Sequence, residues 1–300
     1  MTTMPPTLPA ATDSLLSIAS LGRRIWGNAS LTIGLGIMLV LVLLAVFAPL
    51  ISGHDPYLQD LAKRFWPPVW VEGGSWEHPF GTDRVGRDYL ARLLYGARVS
   101  ITIGIGAATI SALIGVTLGV CAGYFGGRVD QAVSYLLTCM LALPELIFGM
   151  ALVTLIGPSV PVVIIVIGAL NWSYYLVVTR SATMRIRELE YVTAARIGGS
   201  SSRQIIVGEI LPNLFNQIIV VFTLQMGVAV LAEASLSFLG VGIQYPTPSW
   251  GLMIAEGRDA MFYQPWPIIL PGIFLFLLVL GAALLGDGLR DFTSDSKARR

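Results

Sequence analysis

Side chains that could carry out covalent or metal chemistry are scarce in this sequence. Its 300 residues include two lysines, Lys63 and Lys297, and two histidines, His54 and His78. The nucleotide-binding loop G-x-x-x-x-G-K-[ST] needs a lysine directly after a glycine-rich turn, and neither lysine stands in such a sequence. The chain is therefore not expected to hydrolyse ATP by a Walker-type mechanism.

The histidines and cysteines favour structural roles. His54 and His78 are far apart in a polar segment, with no cysteine or carboxylate cluster at ligand spacing, so we expect loop hydrogen bonds and no metal site. Cys121 and Cys139 both lie in apolar runs, where a thiol packs as a small hydrophobic side chain. We accordingly expect no catalytic residue in this chain.

One carboxylate interrupts a long apolar stretch. Glu145 follows Pro144, and proline removes a backbone donor and kinks a helix. A carboxylate at membrane depth is costly unless it is neutral, paired or hydrated. Glu145 either lines a translocation path or forms hydrogen bonds against neighbouring helices, and both interpretations stay open.

The apolar composition of the chain indicates which kind of element positions these residues. Hydrophobic residues make up 55% of the chain, charged residues only 12%, and the mean hydropathy is +0.74. A soluble chain carries roughly 25% charged residues, so this composition excludes a soluble globular protein and makes membrane lipid a partner. The net charge of +1 does not indicate nucleic acid as a partner.

Gaps between charged residues predict six membrane-spanning helices, because a span needs roughly 20 apolar residues. They are predicted at residues 31–51, 99–124, 132–156, 160–178, 214–233 and 268–285. In the second, Gly115, Gly119 and Gly123 recur every four residues and predict a seam where another helix packs closely. Residues 235–254 contain too many glycines and prolines for a regular span and predict a loop or short re-entrant turn.

Arginine placement predicts the orientation. Arginines precede the first span, fill the segment between the fourth and fifth and follow the sixth, so we place all three segments and both termini in the cytoplasm. The resulting layout is a cytoplasmic segment 1–30, a first helix 31–51, a periplasmic loop 52–97, a core 98–287 containing loop 180–213, and a tail 288–300. The tryptophans of loop 52–97 indicate either a contact surface for a substrate-delivering protein or interfacial anchoring.

The most informative segment lies between the fourth and fifth predicted spans. It contains Glu190, Ala194, Ala195, Arg196 and Gly199. A short helix with two adjacent alanines and a terminal glycine exposes little side-chain bulk, so it can fit closely into a groove of another protein. From these residues alone, an ordinary interhelical loop with a glycine cap is equally compatible.

This segment resembles the "EAA" coupling loop of ABC importer permeases. Glu190, Ala194, Ala195 and Gly199 occupy the motif, and Leu211-Pro212-Asn213 stands at the start of the next helix. The resemblance implies that these residues, with Arg196, dock onto an ATP-hydrolysing subunit.

Four further motifs resemble the dipeptide, oligopeptide and nickel permease family, and specifically its second ("C") subunit. They cover residues 78–88, 96–100, 233–251 and 286–291, beginning with His-Pro-Phe-Gly-Thr-Asp and ending with Gly-Asp-Gly-Leu-Arg-Asp. In this family context Glu233 is expected to act in a gate or in helix packing.

The resemblance implies an all-α membrane protein with six transmembrane helices: a type I ABC importer domain with one extra N-terminal helix and a five-helix core. It further implies a second, homologous permease subunit as heterodimer partner, two ATP-binding subunits that use ATP and Mg²⁺, and an extracytoplasmic solute-binding protein. This chain itself would hold no cofactor, and would reside in the bacterial cytoplasmic (inner) membrane.

Peptides are the expected substrates, with nickel chelates, glutathione or opines as alternatives. A stand-alone secondary carrier should show broken helices in two related halves, and an intramembrane enzyme should show a catalytic set at membrane depth. The sequence shows neither feature.

Overall fold

The computed structural model describes the backbone of residues 28–298 and the side chains of residues 28–291. The predicted segment 1–30 therefore lies almost wholly outside the described residues, and the tail 288–300 is described only in part. Within the described range every regular element is helical, apart from an isolated bridge between Thr82 and Asp88.

Twelve α-helices follow one another along the described chain. They are α1 (Ala29–Val46), α2 (Ala48–Ile51), α3 (Tyr89–Phe125), α4 (Gly127–Leu141), α5 (Glu145–Ile156), α6 (Val160–Leu170), α7 (Ser173–Ile186), α8 (Glu190–Ile197), α9 (Ser202–Ile205), α10 (Leu211–Phe238), α11 (Trp250–Gly257) and α12 (Trp266–Ala298). Short 3₁₀ turns occur at Leu61–Lys63 and Arg258–Ala260, and a π-helical turn, Ile206–Ile210, joins α9 to α10.

Four of these helical stretches are long and apolar enough to cross a membrane by themselves: Ala29–Val46, Tyr89–Phe125, Ser202–Phe238 and Trp266–Asp291. Two further candidates are bent pairs. α4 and α5 meet at 84°, and α6 and α7 meet at 41°. The described residues thus provide four spans, or up to six if each bent pair crosses the membrane once.

Several helix boundaries differ from the prediction. The third predicted span, 132–156, is not one helix, because the chain turns sharply between Leu141 and Glu145, where Pro144 cannot donate a helical hydrogen bond. The second begins at Tyr89 rather than near residue 99, since the Asp88 carboxylate accepts a hydrogen bond from the Ala91 amide and caps the helix there. The fifth and sixth predicted spans extend beyond their expected ends at both sides.

Helix α3 is the central element of the fold. It packs along α7 and also contacts α6 and α10, while α12 packs against α1 and α10. Buried apolar side chains form four clusters between these helices, and α3 contributes to each of them. The 37 residues of α3 make it about 55 Å long, so its two ends define two distant regions of the molecule.

The predicted glycine row lies where α3 meets α7. A Cβ atom at Gly115 would come within 2.3 Å of the Trp172 carbonyl oxygen, and one at Gly123 within 2.7 Å of the Arg180 carbonyl oxygen. Gly119 faces Thr179 in the same way. The two backbones are close enough that only glycine fits at these positions.

Part of the segment predicted as a loop or re-entrant turn is helical. α10 continues to Phe238, and α11 starts at Trp250. The Trp250 side chain is fully buried, donates a hydrogen bond from Nε1 to the Leu93 carbonyl oxygen at 3.0 Å, and contacts the Phe274 ring. The short helix α11 is therefore enclosed by α3, α10 and α12, consistent with irregular backbone being covered by protein.

Candidate functional site

The segment that resembles the coupling loop forms the short helix α8. It begins with Glu190 and carries Arg196 in its last turn, so each charge is favourable for the helix dipole. The chain leaves the helix at Gly199, whose φ of +86° suits glycine, and the Ser200 amide donates to the Ala195 carbonyl oxygen at 3.1 Å. The helix thus ends at the glycine, as the sequence predicted.

Val192 is the one fully buried side chain of α8. Val192 is fully buried in a cluster with Val120 of α3, Ile186 of α7 and Leu214 of α10. Ala195 packs against the same cluster and is only partly buried. This apolar cluster therefore connects α8 to α3, α7 and α10.

The two halves of the sequence motif meet in space. The Asn213 amide lies 3.2 Å from the Tyr191 hydroxyl, and Leu211 packs against the cluster that holds Val192. Pro212 is the second residue of α10, directly after the π-helical turn, and it is exposed. The Leu-Pro-Asn sequence therefore starts α10 and supports α8 at the same time.

The remaining face of α8 is open. Ala194, Arg196 and Gly199 are exposed, and Ile197 is 83% exposed although it is a large apolar residue. The Arg196 guanidinium lies 5.9 Å from the centre of the Tyr124 ring, at the last turn of α3. A small-residue helix with an exposed apolar side chain at its end is suited to insertion into a complementary groove.

Arginines join the other helices at this end of the molecule. Arg180 pairs with Asp130 at the start of α4, with one Nη2–Oδ2 contact at 2.7 Å. Arg187 donates from Nη1 to the Gly123 carbonyl oxygen at 2.8 Å, which satisfies an acceptor that the end of α3 leaves free. These contacts attach α7 to the start of α4 and to the end of α3, and neither contact involves α8.

Glu233 is completely buried in α10. Its Oε1 accepts hydrogen bonds from Ser237 at 2.7 Å and from Ser249 at 2.8 Å. Ser249 also caps α11 by accepting from the Leu252 amide. This geometry ties α10 to α11 and supports the helix-packing interpretation, since a fully buried carboxylate is not placed to contact a solute in this conformation.

Glu145 occupies a different environment. It is the first residue of α5, directly after the 84° break, and its residue surface is exposed, as are those of Leu146 and Ile147 beside it. The structure therefore brings Glu145 to an open surface of the bent pair. Both interpretations stay open, because this surface could line a path while the Glu145 side chain also lies within hydrogen-bonding range of Asn171, between α6 and α7.

Comparison with known proteins decides the family. Residues 115–294 match the family described as binding-protein-dependent transport system inner membrane component, and residues 20–68 match the N-terminal transmembrane domain of oligopeptide transport permease C. The chain belongs to this family of permeases.

Relatives align over most of the permease. The di/tripeptide transport system permease protein DppC of Pseudomonas aeruginosa is 40% identical over 258 residues, which cover 86% of this chain and 85% of the relative. The dipeptide transport system permease protein DppC of Alkalihalophilus pseudofirmus is 38% identical, with 90% and 86% covered. The probable D,D-dipeptide transport system permease protein DdpC of Escherichia coli is 37% identical, with 90% and 89% covered.

These matches confirm three predictions. The permease has the all-α membrane fold of a type I ABC importer domain, with an additional N-terminal transmembrane helix before the core. It is a multi-pass inner-membrane component. It is a transport subunit of a larger system, as the family description states.

At the opposite end of α3, the permease contains a buried ion network that the sequence analysis missed. Asp83 accepts from Arg87 Nε at 2.5 Å and from Arg92 Nη1 at 2.6 Å, and Arg92 also contacts Glu256 of α11 at 2.5 Å. Both arginines are fully buried. The network joins the loop of residues 52–88 to α3 and α11.

The groups around Asp83 favour its ionised form. Burial alone would raise the pKa of Asp83, but the guanidinium groups of Arg92 and Arg87 and two backbone amides that donate to the carboxylate lower that pKa below its usual value. The only sequence signal for the network was the match of Gly-Thr-Asp and Gly-Arg-Asp to family motifs. That match carried no information on pairing with Glu256, which is 169 residues beyond Arg87.

The same loop also overturns one expectation. His54 and His78 were expected to be far apart, yet their ring centres are 5.0 Å apart, and His78 Nδ1 lies 2.8 Å from Asp88 Oδ2. Of the loop tryptophans, Trp70 and Trp76 are exposed while Trp66 packs against His78. The exposed pair is compatible with either interpretation made from the sequence.

Proposed function

We propose that this chain is the second permease subunit of an ATP-driven, binding-protein-dependent importer that takes up peptides across the bacterial cytoplasmic membrane. It would pair with a homologous permease, so that the pathway lies between the two. Two ATP-binding subunits would supply the energy with ATP and Mg²⁺, and an extracytoplasmic solute-binding protein would deliver the substrate.

The observation that carries the proposal is the construction of α8. The helix has an open face of small residues around Ala194 and a single buried anchor, Val192, that packs on three spanning helices. Closure of ATP-bound motor subunits would push on α8, and the anchor would pass that push to α3, α7 and α10, producing alternating access.

Orientation follows from the same region. Five arginines lie in α8 or near it in the sequence: Arg180, Arg185, Arg187, Arg196 and Arg203. Basic residues near span ends favour the cytoplasmic side. We therefore place α8 and both termini in the cytoplasm. The loop of residues 52–88, at the other end of α3, faces outward, where a binding protein would dock.

The choice of peptides rests on the relatives, whose names assign them di/tripeptides, dipeptides and D,D-dipeptides. If the chain takes up a nickel chelate or glutathione in place of peptides, the proposal of an importer stands and only the substrate changes. No feature of the described residues favours a secondary carrier.

The proposal is tested by reconstituting the four kinds of subunit in liposomes and measuring uptake of a labelled dipeptide. We expect uptake that needs internal ATP and that stops when the ATPase is omitted. Peptide uptake driven by an ion gradient without the ATPase would overturn the proposal.

The docking surface is tested with Ala194→Arg, which places bulk and charge on the open face of α8. Ala195 is less suitable, because it packs against the buried cluster and a substitution there would mix folding with docking. We expect the variant to lose co-purification with the ATPase and to keep the thermal stability of the isolated chain. Tyr263→Arg, at an 89% exposed side chain near the outer loop, is the matched control and should co-purify normally.

A further inference from the structure

Three potential metal ligands come together on the outer loop from separate parts of the chain. His54 follows α2, His78 lies in the irregular part of the loop, and Asp88 caps α3. One ligand atom from each lies within 4.8 Å of the other two. The chain has no other histidine, so both of its imidazoles are in this cluster.

The two separations that involve Asp88 lie on either side of the value expected for a tetrahedral ion. Zn²⁺ binds nitrogen and oxygen ligands at roughly 2.0–2.2 Å, which places neighbouring tetrahedral donors about 3.4 Å apart. Asp88 Oδ2 is 2.8 Å from His78 Nδ1 and 3.9 Å from His54 Nδ1. The separation between Asp88 and His78 must open by about half an ångström, and the one between Asp88 and His54 must close by as much. The exposed His54, which follows Gly53, can make the second adjustment once its Nδ1 gives up the hydrogen bond to the Ser52 carbonyl oxygen.

The surroundings favour a cation. The three residues line a cavity of about 140 Å³, and its other charged residues are three more carboxylates and one ammonium group: Asp55, Asp60, Glu77 and Lys63. Lys63 is already paired with Glu77 at 2.5 Å. The cavity therefore has an excess of negative charge beside two imidazoles.

A second hydrogen bond fixes the orientation of the Asp88 carboxylate. Asp88 uses its second oxygen, Oδ1, to cap α3, which fixes the carboxylate and leaves Oδ2 towards the histidines. His78 is buried, and its Nε2 has no hydrogen-bond partner among the described residues.

We propose that His54, His78 and Asp88 bind a divalent transition-metal ion of the Zn²⁺ type on the outer loop. Two imidazoles and one carboxylate leave a fourth position for water. To bind the ion, His78 would take the tautomer with its one ring proton on Nε2: a proton on Nδ1 would move to Nε2 by exchange with water, and the ion would take the Nδ1 lone pair. The ion would fasten the segment after α2 to the start of α3.

The test uses the full-length chain, purified in detergent with an affinity tag that contains no histidine and stripped of metal by a chelator. Zn²⁺ binding is then measured by competition with a chromophoric chelator. We expect one Zn²⁺ per chain, and visible d–d absorption of a tetrahedral complex when Co²⁺ replaces it.

His54→Ala is the decisive variant, because His54 is exposed and its removal leaves the His78–Asp88 hydrogen bond in place. We expect Zn²⁺ affinity to fall at least tenfold. Glu72→Gln, an exposed acidic residue of the same loop outside the cavity, is the matched control and should bind as the unmodified chain does.

Two outcomes would overturn the proposal: equal Zn²⁺ affinity of the unmodified chain and His54→Ala, or displacement of Zn²⁺ by excess Mg²⁺, which would show that carboxylates alone hold the ion. His78→Gln gives a second readout and should also lose the site. If that variant does not fold, His54→Ala still decides the question.

Discussion

Individual buried polar residues in this permease act as ties between segments. Glu233 of α10 accepts a hydrogen bond from Ser249, which caps α11, and Asp83 of the loop of residues 52–88 pairs with Arg92 of α3. A buried charge is tolerated only when it is paired and hydrogen bonded, since removing one partner leaves the other uncompensated. Replacing either residue is therefore expected to lower the free energy of unfolding.

Asp83 makes a pH-dependent contribution to stability. Because the folded-state pKa of Asp83 is lowered, its ionised form stabilises the fold above the unfolded-state pKa of about 3.9, and this contribution is lost as the pH falls through the folded-state pKa. We expect Asp83→Asn to lower the free energy of unfolding at neutral pH by about 3–5 kcal/mol.

The measurement is a series of thermal unfolding curves in detergent between neutral and acidic pH. The difference between the unmodified chain and Asp83→Asn should shrink as the pH falls. Asp259→Asn, at an exposed side chain, is the control and should show little difference at any pH. A difference that is constant across the series would contradict the assigned role of Asp83.

At the scale of elements, close helix packing depends on glycines, which have no side chain. The glycine row of α3 lets α7 approach backbone to backbone, and in lipid such close contact is a main source of helix association. The break between α4 and α5 has the opposite effect. It leaves few buried residues on either helix, so these two elements present apolar surface to lipid or to another subunit.

Gly115→Ala tests the seam. The new methyl group would lie 2.3 Å from the Trp172 carbonyl oxygen, so α3 and α7 must separate, and we expect a loss of about 1–3 kcal/mol in unfolding free energy. Gly36→Ala in α1 is the matched control, because a Cβ atom there meets nothing within 4 Å and alanine favours the helix. Denaturant unfolding in detergent measures both, and equal effects would count against the seam.

At the scale of the whole molecule, α3 separates two polar regions. The Asp83 network lies at its start, and the Arg180–Asp130 pair lies beside its end, about 50 Å away along the helix. The first attaches the loop of residues 52–88 to α3 and α11, and the second attaches α7 to α4. The helices between them are joined by apolar clusters and glycine contacts.

We expect the two polar regions to contribute independently. The double variant Asp83→Asn with Asp130→Asn should lose the sum of the two single effects to within about 0.5 kcal/mol, because the sites share no partner. Asp83→Asn combined with Glu256→Gln should deviate clearly from additivity, since both side chains contact Arg92. Denaturant titration of all single and double variants makes the comparison, and strong coupling between Asp83 and Asp130 would contradict it.

The sequence by itself determined the class of protein, the segments that enter lipid, and the short helix α8 with its terminal glycine. These features depend on local signals: runs of apolar residues, the spacing of glycines, and residue types within one or two turns. The family motifs added the membrane fold, which the comparisons confirm.

Only the tertiary structure decided which polar residues meet. His54, His78 and Asp88 come together from three segments, Arg92 meets Glu256 of a distant helix, and the chain turns by 84° near Pro144. Residues 52–88 have almost no regular secondary structure, so their sequence carries no periodicity from which pairing could be predicted. Their positions follow from contacts between parts of the chain that are remote in sequence, and these contacts form only when the loop packs against the ends of α3 and α11.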